Sequence, residues 1–136
     1  MELIAQDTCG MKELLAVRAA IRAASQLERP PGAPAALVQV APEGPDLGIL
    51  HALDAGPAVV GRGPGQGARV AVTDPSVSRA HARVEMLASG RLAVTDMGST
   101  NGTFINDTPV SAGEAWDGDF IRFGHCVFRF LAAIPG

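Results

Sequence analysis

From residue 36 onward the sequence repeats one pattern: short apolar runs rich in β-branched residues, cut every few positions by Gly, Pro, Asp or Asn. Such runs bury one face at a period of two and are too short for helices. They predict strands over 36–41, 48–53, 57–62, 68–72, 80–87, 91–96, 103–106, 119–123 and 126–131. Ser89-Gly90, Asn106-Asp107 and Asp117-Gly118 are turn signals between them. With no helical period in between, the expected fold is all-β, a two-sheet antiparallel sandwich of about ten or eleven strands. All five Phe and the single Trp lie at or beyond Phe104, so the aromatic part of the core must come from the last strands, with Phe128 and Phe130 on one face.

The first third reads differently. Residues 11–27, MKELLAVRAAIRAASQL, favour a helix. Leu14, Val17, Ile21 and Ala24 form a narrow apolar stripe bordered by Arg18 and Arg22. It predicts a helix that docks on its own domain or frays in solvent, or one that pairs with a partner or a second copy. Residues 28–35 are rich in proline and read as a linker. The expected organisation is an N-terminal extension over 1–27, the linker over 28–35, and the sandwich domain over 36–132.

Composition narrows the function. The chain has 136 residues, 47% apolar and 18% charged, which fits one domain with a core and excludes wholesale disorder. A formal net charge of −3 gives no general attraction to nucleic acid, so no nucleic-acid partner is expected. No apolar run approaches the roughly 20 residues of a membrane helix, so no membrane insertion is expected. The opening residues lack the flanks of a signal peptide, and the predicted location is cytoplasmic. Cys9 and Cys126 alone form neither a disulfide framework nor a metal cluster, and no metal or cofactor is expected.

The chemistry-bearing residues sit where strands open into loops. Arg62 ends an apolar run and precedes Gly63-Pro64-Gly65-Gln66-Gly67. Ser78 and Arg79 close a second loop, and Thr100 and Asn101 lie in a third. Loops at one end of a sandwich come together. Converged, these five side chains present hydroxyl, amide and guanidinium donors with almost no carboxylate between them, which suits an oxyanion.

Three other readings fit less well. Ser78, His81 and Asp96 contain the residue types of a hydrolytic triad, but Ser78 is not on a G-x-S-x-G elbow, and a strand beginning at Ala80 would put His81 in the sheet. No catalytic residue is therefore assigned. The glycine-rich run lacks the Gly-Lys-Ser/Thr and the helix of a nucleotide-binding loop. A phosphate-independent scaffold or assembly subunit, acting through the sandwich surface or the N-terminal helix, is the main alternative.

Gly61-Arg62, then Ser78-Arg79-Ala80-His81 after 15 residues, then Ser99-Thr100-Asn101-Gly102-Thr103, and finally Gly118-Asp119-Phe120-Ile121 with Phe123-Gly124 resemble the signature of the forkhead-associated (FHA) domain. The resemblance runs from about 36 to 131 and implies a β-sandwich that binds phosphothreonine peptides. It implies that Arg62 and Ser78 contact the phosphate, with Thr100 nearby and Arg79 contributing, and that Asn101 orients the peptide backbone. It gives Gly61, His81 and Gly102 supporting roles. The implied partners are a phosphothreonine-containing protein and the Ser/Thr protein kinase that makes it. Asn106-Asp107 stands where the family often has Asn-Gly, and the rim at Pro75 and Ser76 offers no basic residue. Thr8 lies ahead of the predicted helix, where its phosphorylation would let the domain bind its own tail or self-associate through the N-terminal segment.

Overall fold

The computed structural model describes residues 29–54, 56–63 and 70–135. The expected N-terminal helix, Thr8 and most of the glycine-rich loop lie outside the described residues. Among the described residues there are eleven strands: β1 (Ala35–Ala41), β2 (Leu50–Leu53), β3 (Pro57–Arg62), β4 (Val70–Val72), β5 (Ala82–Met86), β6 (Leu92–Asp96), β7 (Thr103–Ile105), β8 (Thr108–Pro109), β9 (Ala112–Ala115), β10 (Phe120–Phe123) and β11 (Cys126–Leu131). They form a six-stranded sheet in the order β2-β1-β11-β10-β7-β8 and a five-stranded sheet in the order β4-β3-β5-β6-β9.

Three expectations need correction. The five-stranded sheet is not wholly antiparallel, because β3 and β4 pair in parallel, Val60 with Val70 and Arg62 with Val72. Alternation of side chains does not encode strand direction, so the sequence pattern is the same for either pairing. The strand expected over 80–87 begins only at Ala82, which leaves His81 in the preceding loop. Finally, β8 and β9 were not separately expected; Thr108-Pro109 and Ala112-Gly113-Glu114-Ala115 carry little β-branched signal, and pairing to β7 and β6 makes them strands. Asn106 and Asp107 form the two-residue turn between β7 and β8, both with positive φ (48° and 68°).

The core lies between the sheets. Val60, Val70, Val72, Val84, Leu92 and Val94 of the five-stranded sheet face Leu37, Ile121, Phe123, Phe128 and Phe130 of the six-stranded one. Phe128 stands edge-on to Phe123 at 5.6 Å and to His51 at 6.0 Å between ring centroids. The remaining aromatics take other places: Trp116 is exposed, while Phe104 and Phe120 are half-buried beneath the guanidinium groups of Arg122 (3.7 Å) and Arg129 (6.0 Å). The described part of the proline-rich stretch folds back on the C-terminal residues, with Gly32 N–H donating to the Ile134 carbonyl at 2.9 Å and Ile134 N–H to the Ala33 carbonyl at 2.9 Å. Among the described residues no helix is long and apolar enough to cross a membrane.

Phe128 is fully buried in this core against two other rings, so Phe128→Ala should cost about 3 to 5 kcal/mol of unfolding free energy. Urea denaturation followed by far-UV circular dichroism measures it, and a loss below about 1 kcal/mol would contradict the packing described.

Candidate functional site

The end of β3 and the loop before β5 are pressed together backbone to backbone. Arg62 N–H donates to the Ser78 carbonyl at 3.0 Å, and His81 N–H to the Val60 carbonyl at 2.9 Å. Between these bonds lies Gly61. A Cβ at Gly61 would collide with the carbonyl oxygen of Arg79 and stand 2.8 Å from its carbonyl carbon, closer than real side chains come. Only glycine lets the 78–79 backbone lie against β3, and that contact brings Arg62, Ser78 and Arg79 to one edge.

His81 fixes the loop from below. It is fully buried, and its Nδ1 accepts the Ser78 amide hydrogen at 3.0 Å. Because a backbone N–H can only donate, the ring must carry its proton on Nε2, which donates to the Gly102 carbonyl at 2.8 Å. One neutral imidazole thus joins the second loop to the third. Its ring lies edge-on to Phe123 at 5.8 Å, and the His81 carbonyl accepts Met97 N–H at 2.9 Å.

The third loop is shaped by Asp96. Its Oδ2 accepts the amides of Gly98 (3.0 Å) and Ser99 (3.1 Å), while its Oδ1 accepts the hydroxyls of Ser99 (2.5 Å) and Thr103 (2.7 Å). Burial pushes the Asp96 carboxyl up, but the hydroxyls of Ser99 and Thr103 with the two amides outweigh it and hold the group below its ordinary value. Ser99 Oγ also accepts Gly102 N–H at 3.0 Å. The loop then presents Thr100 and Asn101 outward. Thr100 N–H donates to Ser78 Oγ at 3.1 Å, and Asn101 Nδ2 donates to the Ser76 carbonyl at 2.8 Å. The first bond uses a lone pair of the Ser78 hydroxyl and leaves its proton available to donate.

Ser78, His81, Gly102 and Thr100 are therefore joined in one hydrogen-bond network with the Arg62 backbone; Gly61 lies against the Arg79 backbone, and Asn101 joins through the Ser76 carbonyl. Arg62 and Ser78 are half-buried, and Arg79, Thr100 and Asn101 are exposed. The Ser78, His81 and Asp96 side chains form no relay: His81 bonds the Ser78 amide rather than its hydroxyl, and Asp96 serves its own loop. Sequence reasoning missed Ser76, Asp96, Ser99 and the Gly124-His125 turn as parts of the network. Ser76 Oγ accepts His125 N–H at 2.9 Å, from 49 residues away in sequence, and Gly124 N–H donates to the Gly102 carbonyl at 3.0 Å. Gly124 has φ +60°, and a Cβ there would come within 2.8 Å of Ser76 Oγ. The spacing of Asp96 and Ser99 is a local turn signal that could have been read. The link from Ser76 to the 124–125 turn has no local signal.

Residues 58–124 match the FHA domain family. The chain is 40% identical over 79 residues to the FHA domain-containing protein FhaA of Mycobacterium tuberculosis, a stretch that covers 57% of this chain and 14% of FhaA. It is 33% identical over 122 residues to the oxoglutarate dehydrogenase inhibitor of Corynebacterium glutamicum, covering 90% of this chain and 82% of that protein. A solved structure from an analysis of phosphothreonine-dependent FHA domain interactions superposes with a TM-score of 0.61 at 31% identity, over 71% of this chain and 94% of the other. The chain belongs to the FHA domain family.

Two outcomes follow from the network. Gly61→Ala must push the 78–79 backbone away from β3 and should lower the thermal midpoint by several degrees, read by scanning calorimetry; an unchanged midpoint would refute the close contact. The Asp96 carboxyl titrates lower in the folded protein than in the unfolded chain, so folding favours its charged form. Its contribution is complete above the ordinary value of 3.8 and is lost as pH falls from there through the lowered folded value. Asp96→Asn should remove this part of the acid limb in a stability-versus-pH series, and an identical limb in the variant would contradict the assignment.

Proposed function

We propose that this loop cluster binds phosphothreonine in a partner protein, with Arg62 and Ser78 holding the phosphate, Arg79 and Thr100 beside them, and Asn101 directing the peptide backbone. The observation that carries the reading is the Ser78 hydroxyl, which accepts the Thr100 amide and so has its proton free for an acceptor at the rim beside Arg62. A phosphothreonine brings about −1.5 to −2 of charge and three acceptor oxygens. Each hydrogen bond to a charged group is worth roughly 1.5 to 3 kcal/mol net, and unphosphorylated threonine offers these donors nothing equivalent. The 31% identical structure concerns phosphothreonine-dependent FHA domain interactions, which supports the same ligand class here.

The ligand is made by another protein, a Ser/Thr kinase, and the sandwich acts as a non-enzymatic receptor for it. Because kinases draw on intracellular ATP, the setting of this exchange is the cytoplasm. The functional unit on this reading is the sandwich over 36–132, preceded by the proline-rich stretch over 28–35.

Calorimetric titration with a phosphothreonine peptide and its unphosphorylated twin tests the proposal. The phosphorylated form should bind in the micromolar range and the twin at least about 100-fold more weakly, with Arg62→Ala and Ser78→Ala each weakening the complex by about 10- to 100-fold. Equal affinity for both peptides, or no loss in Arg62→Ala, would favour a phosphate-independent scaffold instead.

A further inference from the structure

Ser76 is a joint between segments that are distant in sequence. Its N–H donates to Asp74 Oδ1 at 2.8 Å, its Oγ accepts His125 N–H at 2.9 Å, and its carbonyl accepts Asn101 Nδ2 at 2.8 Å. The 124–125 turn sets where that joint lies. Gly124 has φ +60°, and a Cβ on it would stand 2.5 Å from the Ser76 carbonyl oxygen and 2.9 Å from the carbonyl carbon. The turn is itself fixed, since Gly124 N–H donates to the Gly102 carbonyl at 3.0 Å and its own carbonyl accepts Arg122 Nη1 at 2.9 Å. The oxygen that Asn101 reaches is therefore the one that Gly124 lets into place.

This contact decides which way the Asn101 carboxamide faces. A carbonyl oxygen only accepts, so the amide turns Nδ2 to Ser76, and Oδ1 points away from it. The side chain is exposed, and its Oδ1 takes no hydrogen from the described residues. An acceptor on this rim suits a backbone N–H and offers nothing to a phosphate oxygen. The two glycine contacts then divide the site. Gly61 seats the 78–79 backbone at the phosphate end, and Gly124 seats Ser76, which holds the group that meets the peptide backbone.

We propose that Ser76 and Gly124 are positioning residues for the bound peptide: they hold the Asn101 carboxamide with Oδ1 outward, where it accepts one backbone N–H of the partner. The inference rests on the phosphothreonine reading of the rim and adds a demand on the partner, because the residue that supplies the N–H cannot be proline. Ser76 and Gly124 act through Asn101 and not on the ligand. Released from the Ser76 carbonyl, the carboxamide turns about its broad terminal torsion and presents nitrogen as readily as oxygen. The fixed acceptor is then lost.

Calorimetric titration with a phosphothreonine peptide and its backbone-ester analogues tests this. Each analogue replaces one N–H by an ester oxygen, at the phosphothreonine and at each flanking residue in turn. In the unaltered chain one analogue should bind about 5- to 10-fold more weakly than the peptide, and the others about equally. Gly124→Ala should weaken peptide binding by a similar factor and abolish the ester penalty, since both changes remove the same hydrogen bond. Ser76→Ala, which deletes only the acceptor of His125 N–H, stands in should Gly124→Ala not fold, and it should reduce the penalty. A full ester penalty in the folded variant, or none in the unaltered chain, would overturn the proposal while leaving phosphate recognition intact. An unaltered chain that binds the phosphorylated and unphosphorylated peptides equally would overturn the phosphothreonine reading, and this inference with it.

Discussion

The buried imidazole of His81 is the contact on which the loop end of this sandwich depends. One ring nitrogen takes the Ser78 amide and the other gives a proton to the Gly102 carbonyl. Without the ring the Ser78 amide would lose its partner, and the Gly102 carbonyl would keep only the Gly124 amide. The Gly61 contact with the Arg79 carbonyl sets how close the second loop lies to β3, and the imidazole sets how close the third lies to the second. Together they set the spacing of the Arg62, Ser78 and Gly102 backbone along the rim.

Carboxylates near the rim hold loop shape. Asp96 binds four donors of its own loop, Asp74 takes the Ser76 amide at 2.8 Å, and Asp46 takes the amide and hydroxyl of Thr73 at 3.0 and 2.7 Å. The hydrogen bonds from Ser76, with the nearby His125 charge adding to them, overcome burial and hold Asp74 below its ordinary value. Cys126, just beyond the 124–125 turn, is pushed up to about 12, first by burial and then by the nearby Asp74 and Asp46 charges, and stays a protonated core side chain. These bonds hold the described loops around Ser76 and Asp96 in place, so a ligand does not have to order those loops on arrival.

Much of this was legible in the sequence because the determinants are local. Period-two runs such as Cys126–Leu131 state which side chains face the core, and the Asn106-Asp107 turn states where a hairpin closes. The clustering of Arg62, Ser78, Arg79, Thr100 and Asn101 could be read because each stands where a strand opens into a loop. The parallel pairing of β4 could not, since strand direction leaves no mark on alternation. Nor could the role of Ser76 against the 124–125 turn, which exists only once distant segments pack. His81 lies between the two cases: the family resemblance implied a supporting role, but its bonds to the Ser78 amide and the Gly102 carbonyl exist only once distant segments pack.

The central claim is that the loop end is a receptor for a doubly charged phosphate, and the proton equilibrium of that phosphate reports on it directly. Phosphorus-31 NMR of a phosphothreonine peptide, titrated with pH free and bound, gives the second phosphate pKa in each state. Donors such as the Arg62 guanidinium and the Ser78 hydroxyl favour the dianion, so the value should fall from about 6 in the free peptide to about 5 or lower in the complex. A bound peptide whose phosphate titrates as it does in solution would contradict the account.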